Sequence, residues 1–140
     1  MIGVVIATHS RLATSLLATA RGVVADATRF VAVEISEDDT TQTYETRLRE
    51  AVTSVQGDRG VLILTDMFGG TPSNVGLTLH KVGVVEVLTG ANLPMAIKAL
   101  QLSVKDVDLA TAARQVKEAG LRSIAVASEV LGAAVKENAS

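Results

Sequence analysis

Four short apolar runs, Ile2–Ala7, Phe30–Ile35, Val61–Leu64 and Val84–Leu88, alternate with longer segments that have helical spacing. Few folds accept that rhythm. Short runs rich in branched side chains suit strands buried on both faces, and each intervening segment is long enough for a crossover helix. Strand and helix in alternation make a parallel sheet joined by right-handed crossovers, with helices on both faces. Only Phe30, Tyr44 and Phe68 are aromatic, so the core has to be built from Val, Leu, Ile and Ala. The expected fold is an open, mainly parallel, twisted α/β sheet in one domain over residues 1–140, a length too short for two comfortable cores.

The helical segments follow from the same pattern. The first, about Leu12–Val24, places Leu12, Leu16, Thr19 or Ala20, and Val23 on one face; the second, about Thr43–Val55, sets Leu48, Ala51, Val52 and Val55 among charges. A third should follow Pro72, a fourth should cover Leu93–Leu102, and a fifth Val107–Ala119, with Gly120 at a carboxyl-terminal cap. The apolar patch Ile124–Ala127 suggests a short last strand, which can run antiparallel. Asp38, Asp39 and Thr40 to Thr43 form the most polar stretch. Two adjacent aspartates without further oxygen ligands at regular spacing make a poor cation site, so this stretch reads as a solvated loop capping the second helix.

Composition removes several functions. A formal net charge of −2, with 13 basic and 15 acidic residues spread along the chain, gives no electrostatic footprint for nucleic acid. The chain has no cysteine, which excludes a disulfide scaffold, a thiolate metal site and a cysteine nucleophile. Its start, MIGVVIATHS, reaches polar residues too soon for a signal peptide or a membrane span, so a soluble cytoplasmic protein is expected. No nucleotide motif of the GxxxxGK[ST] or GxGxxG kind is present, no GxSxG elbow marks a serine hydrolase, and no resident cofactor or metal is called for.

The chemistry concentrates in VLILTDMFGGTPSN, Val61 to Asn74. Here Asp66 falls at the carboxyl end of a strand, the edge where ligands collect in open α/β sheets. Gly69 and Gly70 let backbone amides approach closely, Thr71 is the expected N-cap, and Pro72 sits at the favoured first helical position. Amides at such a helix start suit an anion such as a phosphoryl group, with Thr71, Ser73 and Asn74 adding side-chain donors and Ser10 another. Taken alone, a double glycine before Thr-Pro is more often a plain turn and cap.

Two histidines are available. His80, beside Lys81 near a helix end, has an ordinary explanation there. His9, in Ala7-Thr8-His9-Ser10, ends the first apolar run; alone it reads equally well as a strand-end histidine held by local hydrogen bonds. Set beside Asp66 it gains a purpose. If the first and third strands are neighbours, the carboxylate can fix the imidazole tautomer and support positive charge on the ring, making His9 a nucleophile and Asp66 its orienter. Transfer of a phosphoryl group onto histidine is the chemistry left.

At these residues the chain resembles the IIA components of the mannose family of the bacterial phosphoenolpyruvate-dependent sugar phosphotransferase system. The resemblance rests on ATHS around His9, LTDMFGGTPSN at Leu64–Asn74 and TGANLPM at Thr89–Met95, in an order and spacing that cover nearly the whole chain. It implies that His9 accepts a phosphoryl group from the histidine-containing phosphocarrier protein and passes it to a IIB component that phosphorylates an incoming sugar. It also implies that Asp66 hydrogen-bonds His9, and that the chain forms a homodimer, with the Ser123–Ala127 strand crossing between subunits in some members. Many members carry glycine where this chain has Ser10. Within the family the alternatives are a regulatory IIA signalling by its phosphorylation state and a phosphodonor to a dihydroxyacetone kinase; outside it, a non-covalent module binding a phosphorylated ligand. Phe68 reads as either a core residue or a docking anchor, and TGANLPM as a strand-to-helix turn, a wall of the His9 pocket, or both.

Overall fold

The computed structural model describes residues 1–132. Its order is β1 (Gly3–His9), α1 (Leu12–Val23), β2 (Phe30–Ile35), α2 (Thr41–Val55), β3 (Val61–Thr65), α3 (Thr71–Thr78), β4 (Val85–Leu88), α4 (Leu93–Ser103) and α5 (Leu109–Arg122). The strands pair in the order β2-β1-β3-β4, all parallel, with Ala7 opposite Val33 on one side and Thr65 on the other. After β2 the chain crosses back over β1 to lay down β3. That change of direction makes the gap between the carboxyl ends of β1 and β3 the topological switch point, where ligand sites in open sheets form.

Strand parity divides the core in two. Ile2, Val4, Ile6, Leu62 and Leu64 point to the face covered by α1, α4 and α5, while Val5, Ala7, Val61, Ile63 and Val85 point to the face covered by α2 and α3. Each fully buried Leu, Ile or Val contributes about 1.5–3 kcal/mol over its exposed state, which is how a core with one buried aromatic, Tyr44, holds together.

Three expectations are corrected. The buried stripe of α1 is Ala13, Leu17 and Ala20, continued by Val24, whereas Leu12 and Val23 are exposed; the helix is rotated by one residue from the face chosen on hydrophobicity, and its small residues pack closest to the sheet. Gly120 is not a cap but a buried residue inside α5. A Cβ there would lie 2.6 Å from Met95 Cγ, so the glycine lets α5 press against α4. No strand forms at Ile124–Ala127. The Ser123 and Ile124 N–H groups bond back to Gly120 and Leu121, residues 124–126 are irregular, and a helical turn begins at Ala127, since none of these residues reaches a strand to pair with. The polar loop before α2 does cap it: Thr40 Oγ1 accepts from the Thr43 N–H at 3.1 Å, and the Thr40 N–H donates to Thr43 Oγ1.

Candidate active site

His9 is the last residue of β1 and Asp66 the first after β3, so the pairing of those strands brings them together over the switch point. His9 Nδ1 lies 2.8 Å from Asp66 Oδ2, and the same oxygen accepts the His9 backbone N–H at 3.0 Å. The other carboxylate oxygen takes the Met67 N–H at 3.0 Å. Burial by itself would raise the Asp66 pKa, but the His9 backbone and ring hydrogen bonds and the nearby imidazole charge outweigh it and hold the carboxyl below its ordinary value. An ionised carboxylate only accepts, so Nδ1 carries a proton, and in the neutral ring the lone pair is left on Nε2. The imidazole is about half exposed while Asp66 is nearly covered, which suits a ring that reacts and an acid that holds it.

The turn after Asp66 fits around that ring. Gly69 has φ of +88°, a left-handed conformation that favours glycine. Gly70 has an ordinary extended backbone, and its smallness serves a different purpose: a Cβ there would lie 2.7 Å from His9 Cε1 and 3.4 Å from Nε2. Gly70, not Thr71, is the N-cap of α3; the helix starts one residue earlier than expected, with Thr71 as its first residue and partly exposed. Ser73 consequently turns inward. It is fully buried with its hydroxyl unpartnered, so any anion contact from this residue falls to its backbone N–H and not to its side chain. Asn74 Nδ2 donates to the Gly69 carbonyl at 3.3 Å, which braces the turn.

On the β1 side, Ser10 adopts φ of +51°, uncommon for a residue with a side chain, while its N–H bonds the Ile35 carbonyl at 3.1 Å. A glycine would take that conformation without strain. His9, Ser10 and Arg11 then form one wall of a groove closed on the other side by Glu34 to Glu37. Sequence reasoning missed Thr8. Its buried hydroxyl accepts the Ala13 N–H at 2.7 Å and donates to the His9 carbonyl at 3.1 Å, tying the start of α1 to the strand end that carries the histidine. A threonine inside an otherwise apolar strand was the available signal.

The remaining candidates separate clearly. Phe68 is 75% exposed, so it is a surface residue. His80 faces Glu86 at 3.5 Å beside the start of β4, at the opposite sheet edge from His9. In TGANLPM, Asn92 caps α4 through the Met95 N–H at 3.1 Å, and Thr89, Gly90, Asn92 and Met95 line a different groove, against α5. That segment is a strand-to-helix turn and does not line the His9 groove.

Residues 3–117 match the EIIA-man family model, described as "PTS system fructose IIA component". The chain belongs to the EIIA-man family. Like other IIA components it is therefore a phosphotransfer protein of the sugar phosphotransferase system. It is 26% identical over 103 residues to the fructose-specific EIIA component of Bacillus subtilis (strain 168), covering 73% of this chain and 70% of that one. A mannose/sorbose-specific IIA subunit from Enterococcus faecalis is 25% identical with a TM-score of 0.77, over 89% of this chain and 92% of that one. An EIIA component from Streptococcus agalactiae, 22% identical, shares the fold with a TM-score of 0.81 over 92% of this chain and 99% of that one. Among the described residues no helix is long and apolar enough to cross a membrane.

Proposed function

We propose that this IIA component carries a phosphoryl group on His9 Nε2, taking it from the histidine-containing phosphocarrier protein and handing it to a IIB component for sugar uptake and phosphorylation. The observation that carries the reading is the 2.8 Å Nδ1 to Oδ2 bond, which leaves Nε2 as the free nucleophilic nitrogen of a half-exposed ring. In the forward step the Nε2 lone pair attacks phosphorus. The nitrogen–phosphorus bond to the donor imidazole breaks, its electron pair returns to the donor, and the His9 proton stays on Nδ1. Positive charge that develops on the His9 ring is met by Asp66, already ionised and already aligned, so no reorganisation is needed at the moment of transfer. The transferred group rests near the Gly69 to Ser73 turn, where backbone N–H groups of the first turn of α3, the Thr71 hydroxyl and the Ser10 side chain supply donors. Passage to the acceptor is the same displacement in the other direction, and no cofactor or metal takes part. Such partners work in the cytoplasm.

Incubation with phosphoenolpyruvate, the first enzyme of the system and the phosphocarrier protein is expected to add one base-stable, acid-labile phosphoryl group. Labelling that survives His9→Ala would remove His9 from the chemistry, and saturable phosphate binding without covalent transfer would favour a non-covalent binding module. The same reading includes a homodimer formed through the β4 edge and the apolar groove of Val87, Leu88, Met95, Leu121 and Ile124.

A further inference from the structure

Arg11 occupies the N-cap position of α1, where a short oxygen-bearing side chain is favoured, yet its side chain caps nothing. Thr8 has taken over that duty by accepting the Ala13 N–H from the preceding strand. Most other arginines have visible partners: Arg47 holds Asp39 and the Glu34 carbonyl, Arg49 pairs with Glu45, Arg59 with Asp106, and Arg21 lies over the Phe30 ring, while Arg114, on α5, does not line this groove. Among the described residues Arg11 has neither an ion pair nor a side-chain hydrogen bond. It does have a position. The left-handed turn at Ser10 reverses the chain directly after His9, so that Arg11 lines the same groove as the imidazole.

The other charges lining that groove are Glu34 and Glu37, with Glu34 fixed by a hydrogen bond from the Thr14 hydroxyl. A phosphoryl group on His9 adds close to two negative charges beside a groove already lined by two carboxylates, with Asp66 behind the ring. Unrelieved, that accumulation opposes transfer onto this chain. A guanidinium matches phosphoryl oxygens with two parallel N–H donors and stays charged at every working pH. We infer that Arg11 binds the phosphoryl group of phospho-His9, offsets Glu34 and Glu37, and so speeds phosphoryl transfer onto this chain. The inference rests on the reading of His9 as the phosphoryl acceptor.

The test compares wild type, Arg11→Gln, Arg11→Lys and His9→Ala, phosphorylated from phosphoenolpyruvate through the first enzyme and the phosphocarrier protein. Wild type should label and His9→Ala should not; any other result overturns the underlying reading of His9, and the Arg11 role with it. Given that result, Arg11→Gln should label on His9 about tenfold more slowly, the size expected for one charge-assisted hydrogen bond in an open groove. Arg11→Lys should keep the rate within about threefold of wild type, since the charge is retained and only the bidentate geometry is lost. A phosphorus NMR titration separates binding from mere structure. With the cation gone, the second ionisation of the phosphoryl group should move to higher pH in Arg11→Gln. An Arg11→Gln protein with the wild-type labelling rate and the wild-type titration would overturn the role of Arg11 while leaving His9 as the acceptor.

Discussion

At the scale of single residues, the site turns on what each atom of Asp66 accepts. Its two oxygens take three donors, the His9 ring, the His9 N–H and the Met67 N–H. An amide in its place has one accepting oxygen, so in Asp66→Asn the NH2 group must face a donor, and no negative charge answers the developing imidazolium. Transfer onto His9 should slow about 10- to 100-fold, with the protein still folded; an unchanged rate in the labelling assay would take Asp66 out of the mechanism. The same carboxylate links stability to pH. Because its pKa is lowered on folding, the unfolded chain takes up the proton first, so its contribution is complete above about pH 4 and is lost as pH falls through the folded value. Denaturation curves of wild type and Asp66→Asn should thus differ most near neutrality and draw together on acidification below about pH 4. Gly70 offers the complementary change. Its backbone is ordinary, so Gly70→Ala costs no more than about 1 kcal/mol as an N-cap substitution, but the new methyl occupies the space of His9 Cε1. The ring has to move off Asp66, and labelling should fall about 10- to 100-fold while thermal stability stays near wild type.

At the scale of elements, the site depends on how β1 hands over to α1 and α4 to α5. Thr8→Val keeps the shape of the side chain but leaves the Ala13 N–H buried without an acceptor, a loss of about 1–3 kcal/mol. A melting temperature within a degree of wild type would show that this link is dispensable. Gly120→Ala should cost a similar amount by overpacking against Met95, and Met95→Ala in the same chain should recover part of it. These two positions also mark where sequence reasoning reached its limit. Strand periodicity depends on branching and run length, both local, so β1 to β4 and the order of the helices were legible. The α1 face was misassigned because Leu12 and Val23 are more hydrophobic than Ala13 and Ala20, whereas the geometry of close helix-to-sheet packing selects small residues. Gly120 looked like a helix stop because a glycine signals both a turn and a close crossing, and only the partner helix distinguishes them. For the site, the pairing of His9 with Asp66 could be inferred from strand order, and a threonine in an apolar strand hinted at Thr8; the closeness of Gly70 to the His9 ring could not be inferred, since it depends on which atom lies within 3 Å across the fold.

At the scale of the whole molecule, the sheet has two unlike flanks. The His9 groove opens between β1 and the loop after β2, whereas among the described residues β4 leaves a free edge on the far side of β3. Beside that edge lies the apolar groove of Val87, Leu88, Met95, Leu121 and Ile124, with Ile124 73% exposed, and the chain after it also exposes Val126, Val130 and Leu131. An unpaired strand edge next to contiguous apolar surface invites association, and a second copy of the chain presents the same features for a two-fold contact. The proposed dimer would therefore bury the β4 side and leave both His9 grooves open to donor and acceptor. Sedimentation of the wild type should give a dimer at micromolar concentration, and Ile124→Glu, which puts a charge into the apolar groove, should shift it toward monomer. Since Ile124 and His9 line different grooves, the monomeric variant should still accept a phosphoryl group at close to the wild-type rate. A wild type that sediments as a monomer at every concentration would overturn the dimer, and an Ile124→Glu monomer unable to label would mean that the two flanks are coupled.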